Sequence, residues 1–350
     1  MAQSLNKTGS KTSSRILIIY TGGTIGMAKD FKTGQLKPID FRQIRDAVPE
    51  IQKFNYKIDV VSFDPVMDSA NMQPEHWIGI AEMVGKHYSR YDGFVVLHGS
   101  DTLAYTASAL SFMLENLSKP VVLTGSQLPV GEVRTDAKEN LITAIEIAAT
   151  KIDGKPAVPE VCVYFDYLLF RGNRVSKVNA SKFEAFQSPN YPPLAEAGVY
   201  LKFNPHLILK PGKKKFTVNS RLDTAVGVVR VFPGMSRPWL SAVLGSGMKA
   251  IILETYGSGN APVSDWFVDE IKMALSRGVI ILNVTQCIGG MVEQGVYTTS
   301  ARLQKAGVLG GFDLTTEAAL SKLMFLMGNY KSASKIKELI IKNLRGEITN

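Results

Sequence analysis

Short apolar runs alternate with segments of helical periodicity along most of the chain. The apolar runs of strand length lie at residues 15–20, 57–63, 93–98, 120–124, 160–165, 225–231, 250–255 and 278–285. Longer stretches with helical patterns lie at residues 75–88, 103–117, 137–149, 264–276, 315–327 and 334–343. Strands separated by helices of this length predict a mostly parallel sheet with right-handed crossovers. The pattern therefore predicts an α/β fold.

The alternation stops between residues 188 and 220, a stretch rich in proline and lysine. Because such composition is typical of connections, we place a linker at residues 206–222. It separates a larger N-terminal α/β domain, residues 15–205, from a smaller C-terminal α/β domain, residues 223–350. Residues 1–14 are polar and lack an apolar core, so we expect a mobile tail and neither a signal peptide nor an anchor.

Composition narrows the function classes. The 350 residues are 45% hydrophobic and 20% charged, as in ordinary globular proteins, and no stretch has the apolar length of a membrane span. The net charge of +9 is scattered, and its one cluster, Lys213 to Lys215, lies in a loop without aromatic residues. We therefore expect no nucleic-acid partner. Two cysteines and four separated histidines predict neither a disulfide framework nor a metal site, and we expect a cytoplasmic protein.

Two turns directly after apolar runs carry hydroxyl groups and glycines. The first is Thr21-Gly-Gly-Thr-Ile-Gly-Met27, and the second is His98-Gly-Ser-Asp-Thr102. Ligands bind at the carboxyl ends of strands in open α/β sheets, so the two turns predict one shared crevice. The first turn has neither the Gly-Lys-Ser/Thr ending of a phosphate loop nor the glycine spacing of a dinucleotide site. Taken separately, the first turn is better explained as a tight turn whose hydroxyl groups bond backbone, and Asp101 can be a helix cap.

The order of motifs resembles the asparaginase/glutaminase family of two-domain amidohydrolases, and most of all its cytoplasmic type I L-asparaginases. The resemblance runs from about residue 15 to residue 349. It rests on residues 20–27, on the stretch 92–116 that contains His-Gly-Ser-Asp-Thr, and on Leu123-Thr-Gly-Ser-Gln127. It implies hydrolysis of L-asparagine without metal or cofactor, in a homo-oligomer built as a dimer of dimers with active sites between subunits.

The resemblance also implies residue roles. Thr24 matches the nucleophile that forms an acyl-enzyme, and Ser100, Asp101 and Lys177 match a cluster that moves protons and positions water. The remaining matches concern substrate binding, in which Ser100 and Asp101 also take part: Asp68, Ser69, Ala70, Ser126 and, from a neighbouring subunit, Asn260.

A threonine hydroxyl is too weakly acidic to attack unaided, so a proton acceptor must lie nearby. Lys177 can serve if burial favours its neutral form, whereas Asp101 alongside favours the charged form. Relatives often carry a tyrosine in the lid after the nucleophile, but residues 30–37 contain none. Tyr297, reaching Thr24 from another subunit, is the candidate substitute, unless it packs against the loop after Cys287 instead. Both proton acceptors stay open.

Three further departures from the family pattern matter. Ser100 replaces the usual threonine, so the methyl group that restricts the side-chain rotamer is lost. Ala70 stands where some relatives have a longer polar side chain that helps admit glutamine, so we favour asparagine as substrate. Some type I enzymes bind asparagine at an effector site whose residues match Ser176, Glu254 and Cys287, and an arginine there clamps the carboxylate. Glu254 has the opposite charge, so unless another cation compensates we expect that effector site to be absent or altered.

Three rival functions share features with L-asparagine hydrolysis. A tRNA-dependent amidotransferase subunit of the same family carries a further domain before the asparaginase-like part, where this chain has about fourteen polar residues. The second rival is a mixed asparaginase/glutaminase, and the third is a non-catalytic amino-acid-binding regulator. Ser100 and the missing lid tyrosine favour the regulator, whereas Thr24, Asp101 and Lys177 argue against it.

Overall fold

The computed structural model describes residues 13–29, 36–296 and 298–349. Its larger sheet has eight strands: β1 Arg15–Gly22, β2 Lys57–Met67, β3 Gly93–Leu97, β4 Val121–Thr124, β5 Val161–Phe165, β6 Leu168–Arg171, β7 Ala195–Ala197 and β8 Leu201–Phe203. Their spatial order is β8-β7-β6-β5-β4-β3-β1-β2. The five strands from β5 to β2 are parallel, and β6, β7 and β8 continue the sheet as antiparallel strands. The predicted mostly parallel sheet is confirmed.

Helices cover both faces of this sheet: α1 Phe41–Ala47, α2 Pro74–His87, α3 Leu103–Met113 and α4 Ala137–Ala149. Leu17 and Ile19 of β1 belong to the apolar core on one face, whereas Ile16 and Ile18 belong to the core on the other. Successive side chains of a strand point to opposite faces, so a strand buried on both sides has a continuous apolar sequence. This is why β1 appears in the sequence as an uninterrupted apolar run.

A second, four-stranded parallel sheet forms the centre of the C-terminal part. Its strands, in spatial order, are β9 Val226–Arg230, β10 Ala250–Thr255, β11 Ile280–Thr285 and β12 Leu309–Gly310. The helices of this part are α5 Arg237–Leu244, α6 Asp265–Ser276, α7 Thr298–Ala306, α8 Thr316–Asn329 and α9 Ala333–Ile340. None of the helices in the described ranges is long and apolar enough to cross a membrane.

The structure corrects several predicted elements. The helix predicted at 103–117 ends at Met113, and Leu114–Glu115 pairs as a short strand with Thr217–Val218. Residues 188–220, which lack periodicity, nevertheless contain β7, β8 and the short strand Thr217–Val218. Helices α1, α5 and α7 are seven to nine residues long, too short for a periodic pattern to be distinctive.

Buried ion pairs, together with hydrogen bonds to Gly346, hold the C-terminal segment against the rest of the chain. The three pairs, each 2.6 Å apart, are Arg171 with Glu160, Arg174 with Asp313, and Lys322 with Glu347. The Gly346 carbonyl also accepts hydrogen bonds from Arg171 and Arg174. These contacts fix the backbone that follows β6 and leads to Lys177.

Other short strands pair as hairpins: Met27–Lys29 with Leu36–Pro38, Lys151–Ile152 with Lys155–Pro156, and Ser176–Lys177 with Phe186–Gln187. The last of these hairpins matters for the site because it carries Lys177.

Candidate active site

The turn after β1 holds Thr24 at the carboxyl edge of the large sheet. Gly22 and Gly23 have φ angles of 125° and 87°, which side chains other than glycine rarely adopt. Thr24 opens a single turn of 3₁₀ helix that ends at Gly26. The buried Tyr20 hydroxyl donates to the Gly26 carbonyl at 3.0 Å. Thr24 is therefore half-buried on a turn whose backbone is fixed at both ends.

Three strand ends meet around this turn. A β-carbon built on Gly23 would collide with the backbone of Gly99, and one built on Gly99 would collide with the Ser69 hydroxyl. The Gly23 N–H donates to the Met67 carbonyl at 3.2 Å. The loops after β1, β2 and β3 thus touch through glycine backbone, and they bring three of the predicted site segments into one crevice.

The second cluster is formed by Ser100, Asp101 and Lys177. The Lys177 ammonium donates to the Ser100 hydroxyl at 2.9 Å and to the Asp101 carboxylate at 2.6 Å. Ser100 is 6% exposed, and the side chains of Lys177 and Asp101 are 18% and 62% exposed. The Ser176–Lys177 hairpin therefore supplies a shielded ammonium group to the loop that follows β3. Such an arrangement can orient a hydroxyl group and deliver a proton.

Comparison with known proteins shows the family of the chain. The family model for the asparaginase N-terminal region matches residues 15–209, and that for the glutaminase/asparaginase C-terminal domain matches residues 225–340. The chain belongs to the asparaginase family. It is 42% identical to L-asparaginase 1 of Escherichia coli over 340 residues, covering 95% of this chain and 98% of that protein.

Solved structures of asparaginases share the fold. L-asparaginase I of Vibrio cholerae superposes with a TM-score of 0.87 at 40% identity, covering 97% of this chain and all of that one. A probable cytoplasmic L-asparaginase of Campylobacter jejuni gives a TM-score of 0.76 at 26% identity, covering 95% of this chain and all of that one. The asparaginase N-terminal match contains Thr24, Ser100 and Lys177, whereas Asn260 lies in the C-terminal match.

The segment after β2, which contains Asp68, Ser69 and Ala70, forms a compact polar turn. The Asp68 carboxylate accepts a hydrogen bond from the Ala70 N–H at 2.9 Å and so caps the short 3₁₀ helix Ser69–Asn71. Asp68 and Ala70 are exposed, whereas Ser69 is buried against Gly99. The turn therefore presents Asp68 to the solvent-facing side of the crevice.

The segment after β4 contains Gln127, a contact residue for which the sequence predicted no role. Ser126 is fully buried and donates to the Leu128 carbonyl at 2.6 Å, so its hydroxyl proton is committed to its own loop. Gln127, in contrast, accepts a hydrogen bond from the Ser100 hydroxyl at 3.1 Å. Its place in the strand-end motif 123–127 was the available signal, since the loops after β1, β2 and β3 at this edge all contribute to the site.

His98 lies beneath the Ser100 loop. It is fully buried, with Nδ1 2.7 Å from the Gly99 carbonyl and Nε2 2.9 Å from the Thr106 hydroxyl. A carbonyl only accepts, so Nδ1 carries the proton and Nε2 accepts from Thr106. Burial lowers the pKa of His98 to about 4, against the opposing effect of the Gly99 bond. His98 is therefore a neutral residue that supports the loop, and the sequence indicated it only as part of the turn.

Two predicted site residues belong to other parts of the chain. Asn260 lies after β10, where its carbonyl accepts from the Tyr256 N–H at 2.8 Å. Its contribution to a neighbouring subunit stays a prediction. Tyr297 lies outside the described residues.

The predicted effector residues do come together. Ser176, Glu254 and Cys287 line one cavity of about 350 Å³, together with Lys177 and Glu317. The Ser176 hydroxyl donates to Glu317 at 2.9 Å, and burial, reinforced by Glu254, raises the pKa of Glu317. The cavity thus has two carboxyl groups and a lysine that is already paired with Asp101. Within the described ranges, no group of three or more His, Cys, Asp and Glu side chains could hold a metal ion.

Proposed function

We propose that this chain is an L-asparaginase, which hydrolyses the side-chain carboxamide of L-asparagine to give L-aspartate and ammonia. One observation carries the proposal: the Thr24 turn packs through Gly23 against the Gly99 backbone, next to the cluster of Ser100, Asp101 and Lys177. The asparaginase relatives, which match this chain over nearly its whole length, support it.

The reaction then has two halves. The Thr24 hydroxyl gives up its proton as its oxygen attacks the carboxamide carbon; the amide nitrogen takes up a proton, the C–N bond breaks, and ammonia leaves. The resulting ester on Thr24 is attacked by water, which restores the threonine hydroxyl and releases the carboxylate of aspartate. In this proposal Ser100 orients the water, and Asp68 and Ser69 bind the α-amino and α-carboxyl groups. Asn260 of a neighbouring subunit completes the site in this proposal.

The protein acts in the cytoplasm as a homo-oligomer, a dimer of dimers, in this proposal. Size-exclusion chromatography with light scattering checks the assembly, and a tetramer mass is expected. A monomer with full activity would contradict both the assembly and the shared site.

The function is tested by ammonia release from L-asparagine, L-glutamine and D-asparagine. We expect rapid turnover of L-asparagine. We expect slow turnover of L-glutamine, because Ala70 lacks a longer polar side chain. Comparable turnover of L-glutamine indicates a mixed asparaginase/glutaminase. Binding of L-asparagine in calorimetry without ammonia release contradicts the proposal and indicates a regulator.

A further inference from the structure

Gln127 bridges the loop after β4 to both halves of the Ser100 and Lys177 cluster. Its Oε1 atom accepts from the Ser100 hydroxyl at 3.1 Å, and its Nε2 atom donates to the Lys182 carbonyl at 3.0 Å. We propose that Gln127 is a positioning residue for the asparaginase reaction, which sets the direction of the Ser100 hydroxyl. This inference rests on the proposed function, since it assumes that Ser100 takes part in hydrolysis.

The Ser100 hydroxyl needs such a partner. Serine has no β-methyl group, so its rotamer is less restricted than that of threonine. The Lys177 ammonium only donates, so it fixes a lone pair of the Ser100 oxygen but gives the hydroxyl proton no acceptor. The Gln127 oxygen supplies that acceptor. With both partners present, the oxygen accepts from Lys177 and the proton points to Gln127.

Gln127 is itself held by a rigid element. Its N–H donates to both oxygens of the Asp136 carboxylate, at 3.1 and 2.9 Å. Asp136 precedes α4 and also accepts from the Asn140 amide at 3.2 Å. A glutamine anchored to the start of a packed helix can hold the Ser100 hydroxyl more closely than a mobile surface side chain could.

The other end of Gln127 reaches the hairpin that carries Lys177. Lys182 lies between the paired strands Ser176–Lys177 and Phe186–Gln187, and its carbonyl accepts the Gln127 amide. One side chain therefore contacts Ser100 and the loop of the Lys177 hairpin. Loss of the Gln127 amide should disturb the mutual placement of Ser100 and Lys177 without removing either.

The test compares Gln127→Met in the natural protein and in a Ser100→Thr background. We expect Gln127→Met to lower kcat for L-asparagine about tenfold or more, with KM changed less than about threefold. The threonine methyl group restricts the hydroxyl rotamer without help, so in the Ser100→Thr background the same change should cost less than about threefold. Equal losses in the two backgrounds, or a kcat within about twofold of the natural protein, would overturn the proposal.

Two further variants separate positioning from stability. Gln43→Met removes a glutamine side chain that bonds backbone at the start of α1, away from the cluster, and should leave kcat unchanged. The fall in its melting temperature shows how much stability is lost when one glutamine hydrogen bond is removed. Gln127→Glu keeps an acceptor for Ser100 and should retain more kcat than Gln127→Met. Equal kcat in Gln127→Glu and Gln127→Met also overturns the proposal. So does a kcat loss in Gln127→Met that is accompanied by a larger fall in melting temperature than Gln43→Met shows.

Failure of the proposed function gives a different result. In that case Thr24→Ala keeps releasing ammonia, or the natural protein releases none. Failure of the Gln127 proposal alone leaves Thr24→Ala inactive and Gln127→Met active.

Discussion

The Nζ atom of Lys177 lies 2.6 Å from a carboxylate oxygen of Asp101. The lysine is largely shielded from solvent, whereas the aspartate is mostly exposed. Lys177 thus contacts the Asp101 carboxylate and the Ser100 hydroxyl together, and in the proposed reaction it is the proton donor. It protonates the departing amide nitrogen, which then leaves as ammonia. The proton of Thr24 has two candidate acceptors from the sequence, Lys177 and Tyr297.

Replacing Lys177 tests this role. We expect Lys177→Met to lower kcat for L-asparagine about 100-fold or more, because proton transfer by a positioned group contributes at least that much. Lys182→Met, on the same hairpin but exposed, is the matched control and should keep its activity. Steady-state ammonia release measures both. A Lys177→Met enzyme within about threefold of the natural kcat would remove Lys177 from the mechanism.

Close packing of glycines at the crevice gives a second prediction. Gly23→Ala adds a methyl group against the Gly99 backbone and also strains a φ of 87°. We expect a loss of about 1–3 kcal/mol in unfolding free energy and a steep loss of kcat. Gly198→Ala is the control, since nothing lies within 4 Å of its added β-carbon. Urea unfolding and ammonia release compare the two, and equal behaviour would mean that the loops do not touch as described.

The buried imidazole of His98 makes stability depend on pH. Its pKa is about 4 in the folded protein, against about 6.5 in an unfolded chain. Between these values the unfolded chain binds a proton that the folded protein does not. The contribution of neutral His98 to stability is therefore fully present above about pH 6.5. It is lost as pH falls towards 4, by at most about 3 kcal/mol.

Urea unfolding at several pH values measures this contribution of His98. His98→Gln should lose less stability over the interval than the natural protein, whereas replacement of the exposed His206 by Gln should follow the natural protein. Identical pH dependence in the natural protein and His98→Gln would contradict the buried neutral imidazole.

The cavity lined by Ser176, Glu254 and Cys287 gives a prediction about regulation. Among the described residues, its lining offers no unpaired cation to the carboxylate of an amino-acid effector: Lys177 pairs with Asp101, and the nearby Arg230 lies 3.6 Å from Glu254 and pairs with it. We therefore expect a hyperbolic dependence of rate on L-asparagine, with a Hill coefficient near one. A sigmoidal dependence of rate on L-asparagine would contradict this prediction if it became hyperbolic in Cys287→Tyr, a variant whose larger side chain narrows the cavity.

Much of the fold could be predicted from the sequence, because parallel strands buried on both faces appear as continuous apolar runs. The antiparallel strands β6 to β8 are short, and β7 and β8 lie among prolines, so their pattern is not distinctive. The site was predicted as separate turns, and the resemblance supplied their roles. Contacts between distant loops, such as that of Gln127 with Ser100, depend on how the strand ends converge, which no local pattern records.

Ammonia release by Thr24→Ala, compared with Thr24→Ser, tests the proposed nucleophile most directly. Thr24→Ala should bind L-asparagine but release no ammonia above background, because the attacking oxygen is gone. Thr24→Ser keeps a hydroxyl group and should retain measurable turnover. Ammonia release by Thr24→Ala at a rate near that of the natural protein would contradict Thr24 as the nucleophile.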